Sequence, residues 1–175
     1  MAVNTMMFVP PADTAEARRA TRKTPNITTL PELGPFQDNL AARVLLKVGD
    51  NDSTDDIIPA GVRVLPYWSN IPKVAEFAFE GIDQTYATRA KESRDRGETH
   101  VIVAGSNYGQ GSSRENAALA PRYLGLQVVI AKSFARIHWQ NLINFGVLPM
   151  TFVKPPTMTA SQLEQRSAST ASCSC

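Results

Sequence analysis

An α/β domain with an at least partly parallel sheet is the fold class this sequence predicts, and three observations carry the prediction. Apolar runs of strand length recur at His100–Ala104, Gln127–Ala131 and Gly146–Phe152. Between them lie two stretches of helical length, Asn116–Leu124 and Ser133–Phe145. Strand, helix, strand, helix, strand at this spacing implies crossover units, whose right-handed connections lay successive strands side by side in parallel.

The elements follow in chain order. Pro10-Pro11, Pro25, Pro31 and Pro35 interrupt every apolar run of the first forty residues, so 1–41 is expected to form a flexible, linker-like arm. Val44-Leu45-Leu46-Lys47-Val48 predicts a short strand stopped by Gly49-Asp50-Asn51-Asp52. After a second apolar piece, Ile57 to Gly61, Ser69 or Asn70 can cap a helix carrying Val74 to Phe79. The charged segment Thr85–Gly97 predicts a surface helix or loop. The core is expected mainly from residues 101 to 152, the domain from 42 to 153, and a disordered tail over 154–175, where Pro, Thr, Ser and Ala dominate.

Composition removes several function classes. With 175 residues, 43% hydrophobic and 19% charged, the chain can bury one core. The formal charge of +2 is nearly balanced and the basic cluster is confined to Arg18–Lys23, which argues against a nucleic-acid partner. No apolar run is long enough to span a bilayer, and Met6–Val9 is too short for a secretory signal. The Arg-rich stretch Ala15–Lys23 leaves a mitochondrial presequence open, although Asp13 and Glu16 weaken it. The only cysteines, Cys173 and Cys175, allow neither a disulfide framework nor an internal zinc site, and His100 and His138 are isolated. A cytoplasmic setting, with the mitochondrial matrix still open, and no metal on this chain are expected.

Chemistry concentrates in two segments. "YGQGSSREN", Tyr108 to Asn116, falls at the turn from a buried strand into a helix. Gly105, Gly109 and Gly111 permit close backbone approach there, and successive N–H groups at such a turn form a concave anion site. Ser112, Ser113 and Arg114 then sit where they could bind a carboxylate or phosphate, Arg114 through two parallel hydrogen bonds. The competing account is that Ser112 or Ser113 caps the helix and Arg114 is solvated. The second segment, "GDNDSTDDIIPAG", packs Asp50, Asp52, Asp55 and Asp56 into one turn. A calcium loop would need a bidentate Glu where Ile57-Ile58-Pro59 stands. Asx-type turn chemistry, or a carboxylate that orients a neighbouring catalytic group, are the alternatives.

The segments "VLLKVGDNDSTDDIIPAG", "SNIP", "YGQGSSRENAALAPRYLG" and "VVIAKSFARIHWQNLINFGVLP" resemble the swivelling β/β/α domain of the aconitase and isopropylmalate isomerase family over about Val44 to Phe152. The resemblance implies a hydro-lyase that isomerises a hydroxy di- or tricarboxylic acid by removing and re-adding water. It implies that Ser112 is the base, that Arg114 binds a substrate carboxylate, that Ser113 and Gly111 belong to the same anion site, and that Asp55 lines the active site. It also implies a four-iron four-sulfur (4Fe-4S) cluster as Lewis acid. This chain has no cysteines for one outside its tail, so the cluster is expected on an aconitase-like large subunit.

Departures from the family pattern sharpen these expectations. Asn116 and Asp56 stand where relatives usually have His, and Tyr67 and Trp68 occupy a stretch where an arginine is expected. Arg63 is the candidate replacement for that arginine. Without it, the far end of the substrate is expected against an aromatic surface, favouring a dicarboxylate with an apolar or neutral end. "FVPPADTAEARRATRKTPNITTLPELGP" resembles the linker of single-chain aconitases, and the chain past "FGVLPMTF" is shorter than the family's domain. A split or truncated descendant is expected, either a catalytic small subunit or a non-catalytic interaction module.

Overall fold

The computed structural model describes Thr24, residues 26–36 and residues 40–153 of the chain. Four strands, β1 (Ala42–Lys47), β2 (Thr99–Ala104), β3 (Leu126–Ala131) and β4 (Leu148–Thr151), form one sheet in the order of the sequence. All three pairings are parallel. Every carboxyl end therefore lies at the same edge.

The expected strands and long helices are present. β2 and β3 are near-continuous apolar runs because neighbours flank them on both sides and side chains cover both faces. β1 and β4 are the edges, and Pro149, which has no N–H to offer a ladder, sits on the outer one. The connection from β1 to β2 holds α1 (Thr54–Ile57), α2 (Ile71–Val74), α3 (Tyr86–Asp95) and two 3-10 turns, Leu65–Tyr67 and Ala75–Phe77. α4 (Asn116–Tyr123) joins β2 to β3 and α5 (Arg136–Asn144) joins β3 to β4.

Local chemistry sets these boundaries. Asn70, not Ser69, caps α2, its side chain accepting from Lys73 N at 3.2 Å. The charged segment at 85–97 is helical because Tyr86, Ala90 and Ser93 repeat at helical spacing and bury one face. Asp83 prepares its start by accepting from Thr85 N at 2.8 Å and Thr85 Oγ1 at 2.7 Å.

The core is broader than residues 101–152. Ile57, Ile58, Val74, Phe79 and Tyr86 are fully enclosed and pack with Ile102, Leu126, Val129 and Leu142 in one cluster. The short helices and turns between β1 and β2 are thus a wall of the core; each is too short to show a hydrophobic period. Of the arm expected over 1–41, the described part is tied to the domain. Thr28 N donates to Ser69 O at 3.2 Å, and buried Arg122 donates through Nη2 to Gly34 O at 2.5 Å. The tail expected over 154–175 lies outside the described residues.

Three loops at the carboxyl edge are stitched together. Gly109 N donates to Asp52 O (2.8 Å), Thr54 N to Gln110 O (2.8 Å), Tyr108 N to Ser133 O (3.0 Å) and Ala135 N to Tyr108 O (2.9 Å). Gly109 has φ +77°, and a Cβ there would come within 2.1 Å of the His138 ring. Only glycine meets both demands.

Two predictions follow from this packing. Gly109→Ala must displace the His138 ring and hold alanine in the left-handed region, so it should cost about 2–5 kcal/mol. Gly61→Ala, which meets nothing within 4 Å, should be near neutral; equal denaturant midpoints for the two variants would contradict the loop packing. Burial also lowers the imidazoles of His100 and His138 to about 4, against about 6.5 in the unfolded chain. The unfolded state then binds more protons between these values, so stability is full above about pH 6.5 and falls as pH drops toward 4. Proton NMR should find both rings neutral in the folded protein at pH 5.5; a ring titrating near 6.5 would contradict this burial.

Candidate active site

The turn after β2 and the turn into α5 face one another across a cleft of about 210 Å³ at the carboxyl edge of the sheet. Gly111, Ser112, Ser113 and Arg114 form one wall, Ala135 to His138 with Asn141 the other, and Thr54 joins them. This is where a parallel sheet commonly holds a ligand, since loops and helix N-termini gather there.

The first wall is built as the glycines suggested. Gly109 and Gly111 adopt positive φ, +77° and +100°. The amides of Gly111, Ser112 and Ser113 donate to no acceptor among the described residues. Thr54 Oγ1 donates to Ser112 O at 3.0 Å, pinning the loop to α1. Helix α4 begins after Glu115 with no side-chain cap. Ser112 and Ser113 are therefore not its caps, and both are exposed toward solvent.

Arg114 is held by the aspartate loop. Its Nη1 donates to Asp55 Oδ1 at 2.5 Å and to Ile58 O at 3.4 Å. Nε and Nη2 have no acceptor among the described residues, which leaves the fork free for an incoming oxyanion. The Arg114 guanidinium, with a weaker contribution from Ala60 N, holds the Asp55 carboxyl below its ordinary range. Asp55 thus stays ionised and paired with the arginine.

Asp56 and Asp50 serve the fold. Asp56 and Ser53 form a capping box on α1, with Ser53 N donating to Asp56 Oδ2 at 2.8 Å and Asp56 N to Ser53 Oγ at 3.1 Å. Asp50 accepts from Ser106 N at 2.7 Å and pairs with Lys132 at 3.1 Å, linking the first loop to the second and the third. Local turn chemistry thus accounts for Asp56, while Asp50 and Asp55 reach across to other loops, and among the described residues no three His, Cys, Asp or Glu side chains group as metal ligands. The iron–sulfur cluster implied by the resemblance thus has no ligand set among the described residues, and both cysteines lie outside them.

Arg63, Tyr67 and Trp68 are elsewhere. Arg63 pairs with Glu80 at 3.2 Å and lies over the Phe77 ring, 5.6 Å from its centroid, and none of the three lines the cleft. Tyr67 and Trp68 pack against the core, and the Trp68 carbonyl accepts from Asn116 Nδ2 at 3.0 Å. Sequence reasoning missed Arg136 and Asn141, which complete the second wall. The turn Ser133–Arg136 leads from a strand into a helix just as 105–115 does, and that likeness was the available signal.

Known proteins resemble this chain in sequence and fold. Residues 75–155 match the model of the aconitase C-terminal domain. The 3-isopropylmalate dehydratase small subunit of Halothermothrix orenii is 46% identical over 113 residues, covering 65% of this chain and 62% of that protein. A probable mitochondrial aconitate hydratase of Dictyostelium discoideum is 52% identical over 137 residues, covering 68% of this chain and 18% of that protein. The crystal structure of a 3-isopropylmalate dehydratase from Methanocaldococcus jannaschii superposes with a TM-score of 0.52 at 42% identity, covering 62% of this chain and 58% of that one. The chain spans about three fifths of the small-subunit relatives and about a fifth of the aconitate hydratases it matches. Among the described residues no helix is long and apolar enough to cross a membrane. Domain model, relatives of both architectures and solved neighbour converge: the chain is a member of the aconitase family, homologous to its C-terminal domain and to its small subunits.

Proposed function

We propose that the chain is the small subunit of a hydro-lyase that dehydrates and rehydrates a hydroxy di- or tricarboxylic acid, with Ser112 as base and Arg114 as carboxylate clamp. The observation that carries this reading is the cleft wall at 111–114, where three unpaired amides, an exposed serine and a half-engaged guanidinium adjoin one another. The names of the small-subunit relatives support it, since they are dehydratase and homoaconitase subunits.

In this reading the substrate carboxylate rests on the free Nε and Nη2 of Arg114, while Asp55 keeps the guanidinium in place. Ser112 takes the proton from the carbon next to that carboxylate, the C–H electron pair forms the double bond, and the hydroxyl on the adjacent carbon departs. Gly111 and Ser113 supply amides that stabilise the negative charge the serine oxygen must carry to act as a base. The 4Fe-4S cluster, assigned to an aconitase-like large subunit, supplies when bound the Lewis acid for the departing hydroxyl. The reading takes residues 42–153 as the swivelling domain and sets the enzyme in the cytoplasm or the mitochondrial matrix. A non-catalytic module remains the second reading, favoured by the Arg114–Asp55 pair, with which a substrate carboxylate must share the arginine.

Reconstitution with a cluster-bearing large subunit separates the two. Ser112→Ala should lower kcat by about 10²–10⁴ with KM nearly unchanged, because a base acts in the transition state. Equal turnover of variant and parent removes the catalytic assignment, and no turnover by either with every candidate acid favours the non-catalytic module.

A further inference from the structure

Opposite the 111–114 wall stands a set of donors that the mechanism leaves unused. Helix α5 starts after Ala135 with no side-chain cap. The amides of Arg136, Ile137 and His138 donate to no acceptor among the described residues. Behind them, Asn141 is 7% exposed with Nδ2 unpartnered, and His138 is 1% exposed with neither ring nitrogen paired. Both line the cleft, as does Arg136, an exposed arginine with no ion pair among the described residues.

These groups share one property: they are hydrogen-bond donors or can be. Asn141 Nδ2 is a donor, the buried neutral imidazole carries one N–H, the first-turn amides point out of the helix start, and Arg136 brings a full positive charge. No Asp or Glu lines the cleft to accept from them. Buried donors are rarely left without a partner, and a helix N-terminus beside a free arginine favours an anion over a neutral group. The opposite wall likewise offers free amides, beside an arginine whose Nε and Nη2 are unpaired among the described residues. Two such walls across one cleft fit a molecule with a negative group at each end.

We infer that the start of α5, with Arg136 and Asn141, is a second carboxylate subsite, so that the cleft takes a dicarboxylate by both ends, one on Gly111–Arg114 and the other on Arg136–Asn141. This rests on the hydroxy-acid reading of the cleft and names its specificity. Charge at the far end is recognised by Arg136 and not by Arg63, Tyr67 or Trp68, which stand off the cleft. The acid with an apolar end that the missing arginine suggested is then the poorer ligand.

The test is direct binding to the full chain, followed by amide NMR, with succinate and glutarate as dicarboxylate probes and butyrate as the monocarboxylate. A dicarboxylate should shift the amides of 111–114 and of 136–138 along one binding curve, at least about tenfold tighter than butyrate, the gain expected for engaging a second charged end. Arg136→Gln, a change on the surface, should bring the dicarboxylates down to about the affinity of butyrate. Arg136→Lys should keep part of the gap. Equal affinity for the two classes, no shift at 136–138, or an unchanged preference in Arg136→Gln overturns the inference. Shifts at 136–138 without any at 111–114 overturn the hydroxy-acid reading instead, and leave the helix start as an anion site of its own. Failure of the two-chain turnover assay has no bearing on these binding curves.

Discussion

The turn after β2 lies directly on the His138 ring, and most of the site depends on that contact. The absence of a side chain at Gly109 lets the backbone approach the imidazole, and Tyr108 beside it is buried edge-on to His138, with ring centroids 5.3 Å apart. Through this stack the β2–α4 turn and the start of α5 hold one another in place. The Tyr108 backbone then bonds to Ser133 and Ala135, and Gly109 bonds to Asp52, so the third and first loops are fixed to the second. Three separate connections are in this way joined around one cleft.

Packing alone does not make a carboxylate site; the distribution of partners does. The aspartate loop spends its charges on structure: Asp56 on the α1 cap, Asp50 on Ser106 and Lys132, Asp55 on Arg114. No carboxylate lines the cleft itself, while amides on both walls, Nε and Nη2 of Arg114 and the Arg136 guanidinium have no partner among the described residues. Asp55 restrains Arg114 through one nitrogen, so the arginine is oriented without being fully neutralised. That division of labour keeps net attraction for an anion in a site beside a carboxylate.

Much of this was legible in the sequence. The runs at His100–Ala104 and Gln127–Ala131 are apolar because they are central parallel strands, and the glycine and serine turn between them could only sit at a strand-to-helix junction. The first wall of the cleft therefore followed from local chemistry. The second wall did not, because the Ser133–Arg136 turn comes beside 108–114 only through the pairing of β2 with β3, which sets Ala104 against Ala131. Arg63 shows the opposite case: a candidate replacement for the missing arginine, it pairs with Glu80 and lies over the Phe77 ring, off the cleft lining. The contribution of Ile57, Val74 and Phe79 to the core was equally hidden, since four-residue helices and 3-10 turns carry no readable period.

The most direct measurement is an experimental structure of this chain assembled with a cluster-bearing large subunit and a bound hydroxy dicarboxylic acid. The account predicts one carboxylate on the amides of 111–113 and on Nε and Nη2 of Arg114, with Asp55 still paired to Nη1 and Ser112 Oγ beside the carbon next to that carboxylate. An acid bound instead against Arg63, Tyr67 and Trp68, with the 111–114 amides unoccupied, would contradict it.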